Sequence, residues 1–418
     1  MKEHISNLAY GLLVFFTCIT LSCGHKKEPF SSNVIPVASA VGSYHLLNLS
    51  QYALDIKYIP LETEESSLIA GIQQIVYEDE KIVISDDYSN GYLFDNNGAF
   101  QCRVGSIGRG PGEYRYISDI LIYDHLIFLN DSRQMIIFNA NGRLVESILL
   151  RSPELPAEYL IRNVLPLKKD TYVMDVVTMR NQHYPKAILL ESHNSTLRPI
   201  KEYPSYVQLN KNISSGGYSS NEVAKMYRFR DEIRTYKYIN YDTLFTIGQD
   251  TEMKAAFIFE LGEFKPTLEY FNGRDYSRGM HIICPDIILE SNNHLFITFR
   301  FGDHAPEPFT YMFAPPGSVP WERINKNVCG VFDKSTGELV LMSQPVKRKL
   351  GFKNDVDNGP VIWPHYISSN DELVTFISAE EFLDHLGKME KPTPQMVEIS
   401  KRIDIDDNPI VIIAKLKK

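Results

Sequence analysis

A chain of 418 residues is too long for one hydrophobic core, since single cores stop growing at about 250–300 residues. It therefore divides into two domains or repeats a small unit around one closed architecture. Its 44% apolar and 23% charged residues exclude a disordered chain, and its net charge of −9 excludes the broad positive field that nucleic-acid binding needs. Twenty-four Tyr and 22 Phe beside only two Trp suit many short sheet-packing segments.

The chain opens MKEHISNLAYGLLVFFTCITLSCG, in which Lys2 precedes an apolar run from Leu8 to Leu21. That run is short for a spanning helix and ends in small residues around Cys23. It resembles a bacterial lipoprotein signal of the Bacteroidetes type, although Thr20 stands where the pattern prefers Leu. The resemblance implies cleavage after residue 22 and a lipid on Cys23. Residues 23–50 are polar and rich in small side chains, and read as a flexible tether to a folded region over 51–418. The remaining cysteines, Cys102, Cys284 and Cys329, lack metal-ligand spacing and read as buried thiols, with one disulfide as the alternative.

An internal repeat follows. ISDDYSNGYLFDNNGAF at 84–100 aligns without gaps on FLNDSRQMIIFNANGRL at 128–144, an offset of 44 residues. Asp87/Asp131, Phe94/Phe138, Asn97/Asn141 and Gly98/Gly142 coincide, and each copy ends in an Asn-Gly turn, a hairpin signal. A looser copy is VFDKSTGELVLM at 331–342. A polar turn followed by a β-branched or aromatic run also recurs, starting at 78, 123, 168, 241, 291 and 369. The first two units carry the repeat alone; the count of six leans on the resemblance described next. Helical spacing is confined to SAEEFLDHLGKM at 378–389, with a capping box from Ser378 to Glu381, and, less clearly, SNEVAKMYRFRDEI at 220–233. Everything else reads as strand and turn, so the class is all-β. The segments 55–62 and 408–417 are both strand-like, and pairing between them would close a ring of blades and leave no open sheet edge.

The stretch GSIGRGPGEYRYISDI at 105–120 resembles the glycine-rich junction of the six-bladed β-propeller lipoproteins of Bacteroidetes, an NHL-like group. IKYIPLETEESSLIAGI at 56–72, NDVDNGPVIWP at 354–364 and DDNPIVIIAKLK near the end agree with it. The resemblance implies a six-bladed propeller on a lipid anchor and brings no catalytic residues with it. One departure is Asn358-Gly359, where related sequences often carry Gly-Gly.

Candidate chemistry is sparse. The glycines at 105, 108, 110 and 112 are followed by no Lys-Ser/Thr, so they read as a tight junction between blades rather than a phosphate loop. Within it, Arg109, Glu113 and Tyr114 are the polar side chains placed to reach a central funnel. Asp355 and Asp357 invite a calcium reading, but an EF-hand loop from Asp355 would put Tyr366 where a carboxylate is required. Trp363 with His365 makes an aromatic platform for a sugar or an apolar ligand, or packs a blade. The Pro-rich stretch 306–322 carries Phe309, Tyr311, Phe313 and Trp321, a candidate rim patch. Neither GxSxG nor HExxH occurs.

These features predict a lipid-anchored, cell-envelope propeller on the periplasmic or surface side of the outer membrane. It would act as a non-enzymatic module for a glycan, a peptide or an envelope protein, with no metal, cofactor or nucleic acid. The alternative is a propeller enzyme of the polysaccharide lyase or glycoside hydrolase type with its site in the funnel.

Overall fold

The computed structural model describes residues 33–157, 159–178, 186–204, 224–237, 242–265, 283–314 and 317–418. Its twisted antiparallel sheets form a propeller-like, all-β arrangement. The chain enters as a strap: β1 (Val34–Ile35), a short helix α1 (Val37–Ala40) and β2 (Tyr44–His45) lie against the outer edges of later sheets. Ile35, Val37, Leu47 and Leu49 of this strap are buried. The tether expected through residue 50 is therefore corrected: these four apolar side chains pin the segment, and packing is established by Ile35.

β3 (Ala53–Pro60) continues from the strap to the edge of the last sheet. Four-stranded meanders follow. β4 (Ile72–Glu78), β5 (Lys81–Asp86), β6 (Gly91–Asp95) and β7 (Phe100–Arg103) form the first. In the junction after it, β8 (Ser106–Ile107) pairs in parallel with β9 (Glu113–Tyr114). The second comprises β10 (Asp119–Tyr123), β11 (Leu126–Asn130), β12 (Gln134–Asn139) and β13 (Leu144–Leu149). The third comprises β14 (Tyr159–Lys168), β15 (Thr171–Thr178), β16 (Ala187–His193) and β17 (Thr196–Tyr203). A single parallel pair, Leu149 with Thr196, joins the second and third into one eight-stranded sheet.

β18 (Ala224–Phe229), β19 (Glu232–Lys237), β20 (Thr243–Ile247) and β21 (Met253–Phe259) make the next meander, with β1 on its edge. Then come β22 (Cys284–Glu290), β23 (His294–Arg300), a separate hairpin of β24 (Phe309–Phe313) and β25 (Trp321–Asn325), β26 (Asn327–Asp333) and β27 (Leu339–Met342). The last sheet holds β28 (Tyr366–Ile367), β29 (Glu372–Ile377) and β30 (Ile410–Leu416), with helices α2 (Ala379–Gly387) and α3 (Pro394–Ser400) between the last two. β3 completes it by antiparallel pairing, Lys57 opposite Ile413 and Ile59 opposite Val411. The two strand-like segments at either end of the fold thus meet in one sheet, as their sequences predicted.

The first strand of each meander is innermost. β10 lies against β4 and β14, β14 against β18, and β28 against β4 and β22. Sheets pack face to face through apolar layers, such as Val76, Val83 and Leu93 against Ile122, Ile127 and Ile136. Strands covered on both faces carry consecutive apolar residues; Ile82, Val83 and Ile84 are all buried. Each such side chain contributes about 1.5–3 kcal/mol relative to exposure.

The repeat corresponds to the second, third and fourth strands of successive meanders. Asp95, Asn139 and Asp333 each end a third strand and accept backbone amides of the turn, as in Asn139 Oδ1 from the Asn141 and Arg143 amides at 3.0 Å. Gly98, Gly142 and Gly337 take the left-handed position that each turn requires, at φ +85°, +70° and +74°. The first copy carries one more residue in its β5–β6 turn: Ser85 pairs with Gly91, whereas Asn130 pairs with Met135. Asp86, rather than the aligned Asp87, is consequently the counterpart of Asp131, both feeding carboxylate oxygens to the turn amides.

Two secondary-structure readings are corrected. Residues 224–233 of the doubtful helix form β18 and part of β19, whose Arg230-Asp231 turn is the true fourth polar turn. The segment at 241 instead supplies β20, a third strand. Helix α3, unanticipated, is announced by Thr393 accepting the Met396 amide, with Pro394 at the first turn.

Candidate functional site

The innermost strands end on one face of the molecule, where their turns surround a pocket of about 260 Å³. Glu78, Tyr123, Arg228, Arg230, Glu290 and Tyr366 are among its lining residues. The turns are tight because Asp79-Glu80 and Asp124-His125 both adopt positive φ, which aspartate tolerates better than most side chains.

Behind the mouth, each innermost strand contributes one polar group to clasps between neighbours. Tyr366 donates to Glu78 at 2.8 Å, and Tyr227 donates to Glu290 at 2.9 Å. Asn163 hydrogen-bonds Asp119. Glu78 accepts further from the Ser369 amide and hydroxyl at 2.7 and 2.5 Å, yet burial still holds its carboxyl above the ordinary range. Glu290 is the most heavily served: Arg234 Nε reaches it at 2.9 Å and Lys334 Nζ at 2.7 Å. Arg228 lies over the Tyr123 ring at 3.7 Å and donates through Nη1 to the Pro166 and Leu167 carbonyls. Its Nη2 is buried without a hydrogen-bond partner among the described residues, 3.6 Å from Asp231 Oδ1.

Burial pushes the Asp119 carboxyl up to about 7. A raised acid favours the folded state fully below its unfolded value near 4, and that contribution is lost as pH climbs towards 7. Asp119→Asn is expected to flatten the fall in stability between pH 4 and 7 by about 1–3 kcal/mol, the shift being discounted because Asp119 is only half-buried. Denaturant midpoints across that range read it directly; an unchanged slope would contradict the assignment.

The sequence-predicted candidates lie elsewhere, on segments that enter the innermost strands from the opposite face. Glu113 accepts the Arg109 and Gly110 amides at 2.7 and 2.6 Å, so it braces the glycine loop. A Cβ on Gly108 would fall 2.1 Å from that carboxylate. Arg109 itself is exposed, and Tyr114 is buried, its hydroxyl accepting the Gly91 amide. Asp355 accepts the Ser50 amide and hydroxyl of the strap; Asp357 accepts the Gly359 amide and bonds Tyr58. Trp363 donates to Thr298 at 3.0 Å and packs on Phe296 and Phe352. His365 bonds Thr375, stacks on Phe376, and is held below its ordinary pKa by burial. Arg109, Glu113 and Tyr114 share one junction; the other four share the 354–365 segment. Asn358 stands at φ +59°, a conformation asparagine accepts in place of the expected glycine.

Among the described residues, no group of three or more His, Cys, Asp or Glu side chains is arranged to hold a metal ion. Cys329 is buried, its thiol pushed up to about 12, and Cys102 is half-buried. Cys23, the lipidation candidate, lies outside the described residues.

The sequence matches the model of a family described as "Domain of unknown function (DUF4934)" over residues 32–415. The chain belongs to this family. The structure is similar to that of a Bacteroides fragilis protein, BF0058, described as exported, with a TM-score of 0.65 and 18% identity over 92% of this chain and 100% of the other. It is also similar to a DUF4221-family member from Bacteroides vulgatus, with a TM-score of 0.50 and 11% identity over 87% and 97% of the two chains. At these identities the likeness concerns the fold. No curated protein matches the sequence.

The mouth residues were missed because no single segment holds them. The signal that could have found them is positional: a charged or hydroxylated residue closing an innermost strand just before the recurring polar turn, as in Glu78, Tyr123 and Glu290.

Proposed function

We propose that this DUF4934 protein is a six-bladed, lipid-anchored propeller of the cell envelope that captures a polar ligand at the mouth of its central channel. Counting each half of the eight-stranded sheet as a blade supports the six-bladed reading, as does the clasp between Asp119 on β10 and Asn163 on β14. The exported description of the similar Bacteroides fragilis protein, together with the leader ending at Cys23, supports an envelope location. The ligand is a glycan, a peptide or an envelope partner.

The observation that carries the binding reading is the buried Arg228 Nη2 at a mouth lined by Arg230, Asn292 and Asp371. That Nη2 has the Asp231 carboxylate 3.6 Å away but no hydrogen-bond acceptor among the described residues, so an arriving acceptor recovers part of the about 1–3 kcal/mol that a buried donor without a hydrogen bond costs. A thermal-shift screen of glycans and peptides tests this. A hit at a hundred times its dissociation constant adds about 2.7 kcal/mol. Arg230→Ala is expected to abolish the shift while Arg109→Ala, on the opposite face, retains it; the reverse pattern moves the site to the glycine junction.

A second reading, a lyase or glycoside hydrolase, is favoured by one feature: carboxylates, arginines and two tyrosines meet at the funnel, and Glu78 is held towards its protonated form. Its weakness is that Glu78 and Glu290 already accept several hydrogen bonds each. Product release from a polysaccharide panel, lost in Glu78→Gln, would establish it.

A further inference from the structure

Among the described residues the β24–β25 hairpin pairs with no other strand and stands as a two-stranded sheet of its own. Such a ribbon is marginal in water unless something covers it. Both faces carry exposed apolar side chains, beside Thr310 and Glu322 on one and Arg323 and Asn325 on the other. Phe313 and Trp321 are cross-strand partners that stack edge to face at 5.0 Å, with the Arg323 guanidinium 3.9 Å over Phe313. On the other face Met312 is 64% and Ile324 60% exposed, and Val319 in the connecting turn is 84% exposed. A flat protein surface would cover one of these faces. A bilayer interface surrounds a projecting ribbon on every side, and its headgroup layer is where Trp, Tyr and Arg side chains place a polar end above an apolar body.

Position points the same way. The hairpin is inserted between β23 and β26, whose ends pair as Arg300 with Asn327. β22 starts at that end, opposite Arg300, and finishes at Glu290 beside the pocket, so hairpin and mouth lie on opposite faces. The entering strap is on the hairpin's face: β2 pairs with the end of β27, and Tyr44 donates to the His304 carbonyl at the hairpin's root. Beside that root, Gln344 is bonded to Glu307, and the exposed Lys347 and Arg348 follow. The segment from Cys23 to Asn33 spans at most about 33–36 Å when fully extended, which brings an anchored strap within reach of the lipid surface.

We propose that the β24–β25 hairpin is a second membrane contact, seated in the interfacial layer of the bilayer that holds the lipid anchor, so that the channel mouth faces away from the membrane. The proposal rests on the lipid-anchor reading. The two tryptophans of the chain make it measurable, since Trp363 is packed against Phe296 and Phe352. The lipidated full chain is incorporated into phosphatidylcholine–phosphatidylglycerol vesicles that carry brominated acyl chains. Expected are quenching and a blue shift of Trp321 emission, with loss of the quenching in Trp321→Phe, whose fold is checked by circular dichroism. A chain that floats with the vesicles while Trp321 stays unquenched and open to aqueous acrylamide overturns the hairpin contact and leaves a protein as the occupant. A chain that fails to float overturns the anchor reading itself.

Discussion

Glu290→Ala is expected to cost about 3–5 kcal/mol of stability, the usual consequence of removing one partner from a buried ionic cluster. The Glu290 side chain is 1% exposed, and those of Arg234 and Lys334 are 8% and 16% exposed. Burial pulls the Arg234 pKa down, but the Glu290 charge and hydrogen bonds outweigh it and hold the guanidinium above its ordinary value. Burial pulls Lys334 down and wins, even against Glu290. Without the carboxylate, two cations and the Tyr227 hydroxyl lose their common acceptor. The loss should appear as a lower denaturant midpoint at neutral pH. Adding Lys334→Met to Glu290→Ala should recover part of it, because one stranded charge is then removed. A loss below about 1 kcal/mol would mean that water already reaches the cluster.

Gly98→Ala is the second large effect, at about 2–5 kcal/mol from two additive causes. At φ +85° any side chain is strained, and a Cβ there would fall 2.1 Å from the Pro60 carbonyl oxygen. That contact is where the β6–β7 turn docks on β3, the outermost strand of the closing sheet. Gly42→Ala provides the comparison: its φ is +91° but nothing lies within 4 Å. It should show only the conformational cost, about 1 kcal/mol. Equal losses at the two positions would contradict the docking of the turn against Pro60. Gly142 repeats the arrangement one meander later, with Cys102 Sγ in the place of Pro60.

The fold was legible wherever the sequence repeats a local device. Asp95 and Asn139 accept the same turn amides and Gly98 and Gly142 take the same left-handed position, so the offset of 44 residues is a repeat of hydrogen bonds as well as of letters. The strand at 408–417 announced its closing role through its unbroken apolar run, as a strand covered on both faces must. Legibility failed where two patterns compete. AKMYRF carries apolar residues at a spacing that suits a helix, but Tyr227 and Arg228 are recruited by Glu290 and Tyr123 on strands distant in sequence, which only the assembled fold supplies. The strap failed similarly: its Ser, Pro and Ala residues resemble a linker, while four buried apolar side chains hold it in place.

The candidate site was hidden for a related reason. Arg109, Glu113 and Asp355 stand in eye-catching polar or glycine-rich motifs, and Glu113 and Asp355 spend their carboxylates on nearby amides. The mouth is assembled from strand ends spread over almost 300 residues, Glu78 to Asp371, none of which forms a motif. Motif density marked the junctions that build the fold, and strand ends mark the pocket.

The most direct test of a ligand at the channel mouth is hydrogen–deuterium exchange of the whole chain with and without the glycan or peptide that gives the largest thermal shift. The account predicts slowed exchange in the turns around 79–80, 124–125, 230–231 and 368–371, with the junction at 105–114 unchanged. Protection confined to 105–114 or 354–365 would contradict it and return the site to the opposite face.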